Sequence, residues 1–99
     1  MLDLAQFRRQ VFDVTLPDGT AVQLEPPKIK TLRQLEDMMK SGGASVDMVT
    51  DMLLLIVNKN REGKKFTRKQ IDEQFETDIA AVLIGRYFDW VRGVKNDPN

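Results

Sequence analysis

In Phe12-Asp13-Val14-Thr15-Leu16-Pro17-Asp18-Gly19-Thr20-Ala21-Val22-Gln23-Leu24 the apolar residues alternate on both sides of a turn signal. Phe12, Val14 and Leu16 fall on one face of an extended chain, with Asp13 and Thr15 on the other. Val22 and Leu24 alternate in the same way with Gln23 and Glu25. Pro17 presets φ for a type I turn, and Gly19 accepts the left-handed conformation of a bulge. The register tests the length of this loop. A three-residue loop pairs Leu16 with Thr20, Val14 with Val22 and Phe12 with Leu24, gathering every large apolar residue on one face. A two-residue loop sets Val14 against Ala21 and destroys that agreement. Residues 11–25 are therefore predicted to form an antiparallel β-hairpin.

The sequence downstream has helical periodicity. Pro26-Pro27 ends the second strand, because neither residue can donate to a ladder. Thr31 with Gln34 has the spacing of a capping box and predicts a short helix with Leu32, Leu35 and Met39 on one stripe. Ser41-Gly42-Gly43 stops it. Ser45 opens a second helix reaching about Asn60, whose only continuous polar arc is Asp47, Asp51 and Asn58. Val46, Val49, Met52, Leu53, Leu55, Ile56 and Val57 cover most of its remaining surface, so it is predicted to be central. Gly63 stands where a helix C-cap is expected. Thr67 with Gln70 forms another capping box, before a third helix carrying Ile71 and Phe75. Thr77-Asp78 opens the last helix, which runs to about Lys95. The fold class is α+β: an N-terminal hairpin, then about four helices, in a single domain. The hairpin covers 11–25, the helical part 31–95, and a polar tail 96–99.

Composition narrows the function. The chain has 99 residues, enough for one core, and an ordinary apolar share of 41%. Fifteen basic residues balance fifteen acidic ones. Such a balance supplies no overall field for nucleic acid or anionic membrane. Cysteine and histidine are absent, which removes the thiol nucleophile, the thiolate metal site and the commonest general base. The apolar run Met52 to Val57 is far shorter than the roughly 20 residues of a membrane span. The first nine residues carry their charge in the wrong order for a signal peptide. The expected location is the cytoplasm.

Acidic pairs are the remaining route to catalysis. Glu36-Asp37 and Asp72-Glu73 are sequence neighbours and diverge by about 100° on a helix. Asp47 and Asp51 share a face, but without a third ligand they read as a solvated stripe rather than a metal site. Gly42-Gly43 lacks the lysine and hydroxyl of a phosphate loop. The expectation is a protein that is not an enzyme and has no cofactor, metal or catalytic residue. The basic turn and its flanks, Lys59, Arg61, Lys64, Lys65, Arg68 and Lys69 with Phe66 interleaved, raise the question of nucleic acid. Glu62, Asp72, Glu73 and Glu76 dilute that cluster, which favours a solvated loop.

The last helix has more apolar circumference than one small core requires. Ile79, Leu83, Tyr87, Trp90 and Val94 form one stripe, the natural core side. Ala81, Ile84, Phe88 and Val91 form a second, turned about 100° away. Ala81 and Gly85 stand one turn apart and permit close approach of another backbone. Two readings stay open: both stripes are buried within the monomer, or Ala81, Ile84, Gly85, Phe88 and Val91 meet a partner helix or another subunit.

A family resemblance rests on the order of pieces along nearly the whole chain. These are Phe12 to Gly19, then Lys28-Ile29-Lys30-Thr31-Leu32, the helix ending Asn58-Lys59-Asn60-Arg61, and the turn Gly63-Lys64-Lys65-Phe66-Thr67. Tyr87-Phe88-Asp89-Trp90-Val91 and Asp97-Pro98-Asn99 complete the set. Together they resemble the tail assembly chaperones of long-tailed bacteriophages and prophages. The resemblance implies a viral protein that binds the tape measure protein and the major tail protein in the bacterial host cytoplasm, then leaves before the virion is finished. It also implies a longer form of the chain made by ribosomal frameshifting. A homo-oligomer follows instead from the second stripe of the last helix, on the reading in which that stripe meets another subunit. Lys95-Asn96 fits a slippery heptamer of the form A-AAA-AAC if the codon of Val94 ends in A. The rival reading is a small helical nucleic-acid-binding regulator using residues 59–69.

Overall fold

A computed structural model describes residues 1–6, 10–41 and 45–96, with side chains placed except at 6 and 94–96. After a 3-10 turn at Leu4–Gln6, strands β1 (Phe12–Thr15) and β2 (Ala21–Leu24) precede four helices. These are α1 (Ile29–Lys40), α2 (Val46–Val57), α3 (Arg68–Gln74) and α4 (Thr77–Asn96). The architecture is α+β.

The hairpin has the register that its residues dictate. Phe12 pairs with Leu24, Val14 with Val22 and Thr15 with Ala21. The Leu16 N–H donates to Thr20 C=O at 2.8 Å, and Gly19 N–H to Leu16 C=O at 2.8 Å. Gly19 has φ of 91°, the bulge conformation that a residue with a Cβ resists. Leu16, Val22 and Leu24 are buried in consequence.

Helix α2 is central, as its apolar circumference predicts. It packs against α1, α3, α4 and β2, burying Met52, Leu53, Ile56 and Val57. Ser45 caps it, accepting from the Met48 N–H at 3.1 Å. Thr50 is buried on the face toward α3, its hydroxyl 3.0 Å from an Asp72 carboxylate oxygen and 3.1 Å from Val46 C=O. Val46, in the first turn, is exposed instead.

Three local expectations are corrected. Helix α1 begins at Ile29, and Thr31 lies inside its first turn. Lys28 is the N-cap, in extended conformation and without a side-chain bond. Pro26-Pro27 delivers the chain already extended to residue 28, so the helix starts directly after it. The inward residues of α1 are Leu32, Leu35 and Met38, while Met39 is 56% exposed. One residue three positions after Leu35 and one four positions after it straddle the same line, and the position of α2 selects the former. Gly63 does not cap α2, which ends at Asn58 in right-handed conformation. Gly63, with φ of 72°, serves a later turn. The capping box at Thr67 and Gln70 forms as read. Gly42 and Gly43, and the tail beyond residue 96, lie outside the described residues.

Helix α4 presents to the core an arc that lies between the two expected stripes. Ala80, Leu83, Tyr87, Phe88 and Val91 are buried, and Ile84 and Trp90 pack partly against them. Phe12 and Trp90 stack with ring centroids 5.5 Å apart, joining the start of the hairpin to the end of α4. Burial pushes the Tyr87 phenol pKa up, so the ring remains neutral.

Candidate functional site

Because the buried arc of α4 splits both stripes, each leaves an apolar remnant on one flank of the helix. On the flank toward α1, Ala81 and Gly85 are exposed. Gly85 lines a cleft whose walls include Met39 from α1 and Phe88 from α4, with Glu36, Lys40, Asp89 and Arg92 around them, and Ala81 stands one turn before it on the helix. Asp89 and Arg92 form an ion pair along the helix. A Cβ added at Gly85 meets nothing within 4 Å, so this point of the helix surface is open. Phe88 and Val91, left open between partner contact and monomer core, are only 8% and 5% exposed. They belong to the monomer's core, and Ile84 is half-buried against it. The accessible part of the second stripe is therefore Ala81 and Gly85, with the edge of Phe88 reached through the cleft.

On the other flank, Ile79 is 44% exposed and Val82 56% exposed. Ile79 was expected in the core; it stands at the outer limit of the buried arc. Together with Phe75 and Leu83 these residues form one wall of a groove whose other wall is β1, from Phe12 to Leu16. Glu76 and Arg86 lie in the same groove. A third depression, between α1 and α2, has Met38, Leu54 and Leu55 beside the polar Thr31 and Gln34.

The basic turn has a structural explanation. Leu24 forms an antiparallel bridge with Asn60. Glu25 N–H donates to Lys59 C=O, and Arg61 N–H to Gln23 C=O, each at 2.9 Å. The connection is thus held beside β2 by a single antiparallel bridge flanked by two backbone hydrogen bonds. Two asparagines close it. The Asn58 carboxamide accepts from Phe66 N–H at 2.7 Å and donates to Phe66 C=O at 3.2 Å. Asn60, 7% exposed, accepts from Lys64 N–H at 2.8 Å. Its Nδ2 donates to Val57 C=O at 2.7 Å and Lys64 C=O at 2.9 Å. Arg68 turns back onto α2, pairing with Asp51 and lying 3.9 Å from Asp47. Lys69 stands 3.9 Å from Glu73. Two of the cations are therefore committed to internal pairs, and Asp47 and Asp51 form a seat for Arg68 rather than a stripe facing water alone.

Sequence reading missed these asparagine clamps and the β1–α4 groove. The clamps had one visible sign, the repeated amide in Asn58-Lys59-Asn60, which instead read as part of a polar arc. Among the described residues, no group of three or more acidic side chains is placed to hold a metal ion. No helix there is long and apolar enough to cross a membrane. Comparison with protein-family models, curated proteins and solved structures finds no match to the chain.

Proposed function

We propose that this is a non-catalytic tail assembly chaperone of a long-tailed phage or prophage, acting in the host cytoplasm on the tape measure protein and tail tube subunits. The observation that carries the reading is Gly85 in the wall of the Met39–Phe88 cleft, with the exposed Ala81 one helical turn before it. Small residues one turn apart let a partner helix approach closely, and the cleft offers apolar surface for its side chains. A tape measure protein is long and helical, so its segments fit that shape. The interaction requires only reversible burial of apolar surface. The absence of histidine and cysteine from the sequence agrees with a role without chemistry. The family resemblance supplies the identity of the partners, and a frameshifted longer form would keep this domain while adding a second one.

The test is co-expression with the long helical protein encoded beside this gene, followed by co-purification. Gly85→Arg is the informative variant. Its side chain enters open space at a helical position, so the fold is retained, while the close approach is blocked. Loss of co-purification with unchanged helical content supports the proposal; undiminished binding removes this cleft from it. Salt separates the nucleic-acid reading: binding through the basic turn weakens steeply as salt rises, whereas apolar helix burial does not.

A further inference from the structure

We propose that the groove between β1 and α4 receives a second copy of this chain, joining two hairpins edge to edge around a two-fold axis. The inference goes beyond the chaperone reading and uses the opposite flank of α4.

The first observation is the state of the β1 edge. Leu16 N–H donates to Thr20 C=O across the hairpin, and Val14 faces Val22 two residues on, in the next hydrogen-bonded position. Asp13 and Thr15 therefore direct their N–H and C=O groups away from β2. On β2 the corresponding outward groups are used: Gln23 N–H donates to a Glu62 carboxylate oxygen at 3.0 Å, and Gln23 C=O accepts from Arg61. On β1, no described residue meets the outward groups of Asp13 and Thr15. An unpaired edge beside exposed apolar side chains is a template for another strand.

The second observation is self-complementarity. A two-fold axis at Val14 places Asp13 of one copy opposite Thr15 of the other, where each such pair exchanges both backbone hydrogen bonds. No like charges meet. The same axis brings the two α4 helices together antiparallel on one face of the extended sheet. β1 and α4 run in opposite directions: Phe12 stacks on Trp90, while Asp18 N–H donates to the Gln74 side chain at 3.2 Å. Val14, in the middle of β1, thus lies against the middle of the groove, with Val82 and Leu83 in its wall.

The third observation is charge placement. Glu76 and Arg86 are exposed and without an ion-pair partner among the described residues. Glu76 immediately precedes α4 and Arg86 stands ten positions on, about 15 Å at the rise of a helix. Their midpoint is Ala81, next to Val82. Antiparallel packing about that level sets each Glu76 against the partner's Arg86, while Ile79 and Val82 of both copies cover one another. A helix in any other register loses either the charge pairing or the strand pairing.

Sedimentation equilibrium of the full chain, from micromolar to submillimolar concentration, is the experiment. A monomer–dimer equilibrium is expected. Val82→Glu puts charge on the apolar contact and should give a monomer with unchanged circular dichroism. Thr15→Pro removes only an N–H that points away from β2, so the hairpin survives while edge pairing is blocked. Reversal at Glu76→Arg or Arg86→Glu should weaken dimerisation at least about tenfold, because symmetry repeats each contact. The double exchange Glu76→Arg with Arg86→Glu should bring the dissociation constant back to within about threefold of the original, since the paired charges are only transposed. A monomer throughout the range overturns the proposal, as does a dimer indifferent to Val82→Glu and Thr15→Pro. Failure of the double exchange to restore what the single reversals lose overturns the register. None of these outcomes depends on Gly85 or on tape measure binding.

Discussion

Replacing Asn60 with alanine is expected to be among the most damaging single changes outside the apolar core. The side chain makes three hydrogen bonds, at 2.7, 2.8 and 2.9 Å, to main-chain groups of Val57 and Lys64. A typical intramolecular bond contributes about 1 kcal/mol net, and a buried group left unsatisfied costs about 1–3 kcal/mol. Lys64 belongs to an exposed turn and can recover water, whereas Val57 is buried at the end of α2. Counting full loss at Val57 and partial recovery at Lys64, the cost is about 2–4 kcal/mol. That is a large part of the roughly 5–15 kcal/mol available to a domain. For a chain of this size the melting temperature should fall by about 10–25 °C. Urea denaturation followed by circular dichroism measures it, with an unchanged slope as the sign that both end states are preserved. Asn60→Asp is the sharper variant. It keeps the acceptor for Lys64 N–H but loses both donors, and its carboxylate faces two carbonyl oxygens. It should therefore be at least as unstable as alanine at neutral pH and recover partly as the carboxyl is protonated. A change below about 0.5 kcal/mol for Asn60→Ala, the range of an ordinary surface substitution, would refute the clamp.

Other outcomes follow from the hairpin and α4. Gly19→Val should destabilise by at least about 1 kcal/mol, because a β-branched residue resists positive φ; an unchanged melting temperature would count against the bulge. Asp18 accepts from Thr20 N–H at 2.9 Å, and that backbone bond, followed by the Thr20 side chain, holds its carboxyl pKa below the ordinary value. A depressed folded pKa stabilises above the unfolded value, and that stability is lost as pH falls through the folded one. Asp18→Asn should flatten the acid limb of a stability–pH curve, and an identical limb would exclude Asp18 as a contributor. Gly85→Ala should stabilise by up to about 1 kcal/mol through helix propensity, since nothing obstructs a Cβ there; destabilisation would show that the α4 edge is closed.

The hairpin was legible because every contact that fixes its register lies within a dozen residues, and a one-residue slip reverses all side chains together. The central place of α2 was legible for a related reason: a helix apolar on nearly every side leaves little choice. The rotation of α4 was not legible. Its two stripes are almost equally apolar, and the choice is made by the packing of α4 on α2 and by the hairpin, whose Phe12 stacks on Trp90. Residue-by-residue reading assigned Ile79 to the core and left Phe88 open between the core and a partner; the structure exposes much of Ile79 and buries Phe88. Thr31 misled because a capping pattern is local, whereas the preceding Pro26-Pro27 already determines where the helix begins. Asn58 and Asn60 gave no decisive signal, since their partners are backbone groups whose positions depend on how the turn folds against β2. Arg68 and Asp51, 17 residues apart, meet only through the packing of α3 on α2.

The division of α4 into a buried arc and two apolar flanks bears on how strongly each flank can hold a partner. A flank carrying two or three apolar residues offers a contact that is useful but modest. At about 25 cal/mol per Å² of apolar surface, it cannot offset the cost of association unless backbone bonds, charge pairing or a shape-matched helix adds to it. The β1 flank has such additions in its unpaired strand edge and in Glu76 and Arg86. The α1 flank has them in Gly85, which admits close approach, and in the charges bordering Met39 and Phe88. Each flank therefore discriminates through what accompanies its apolar residues rather than through their area. Contacts of this strength suit the reversible holding that the proposed chaperone function requires. The same geometry allows the two flanks to be occupied together, a second copy on one and a partner helix on the other, with the buried arc of α4 unchanged between them.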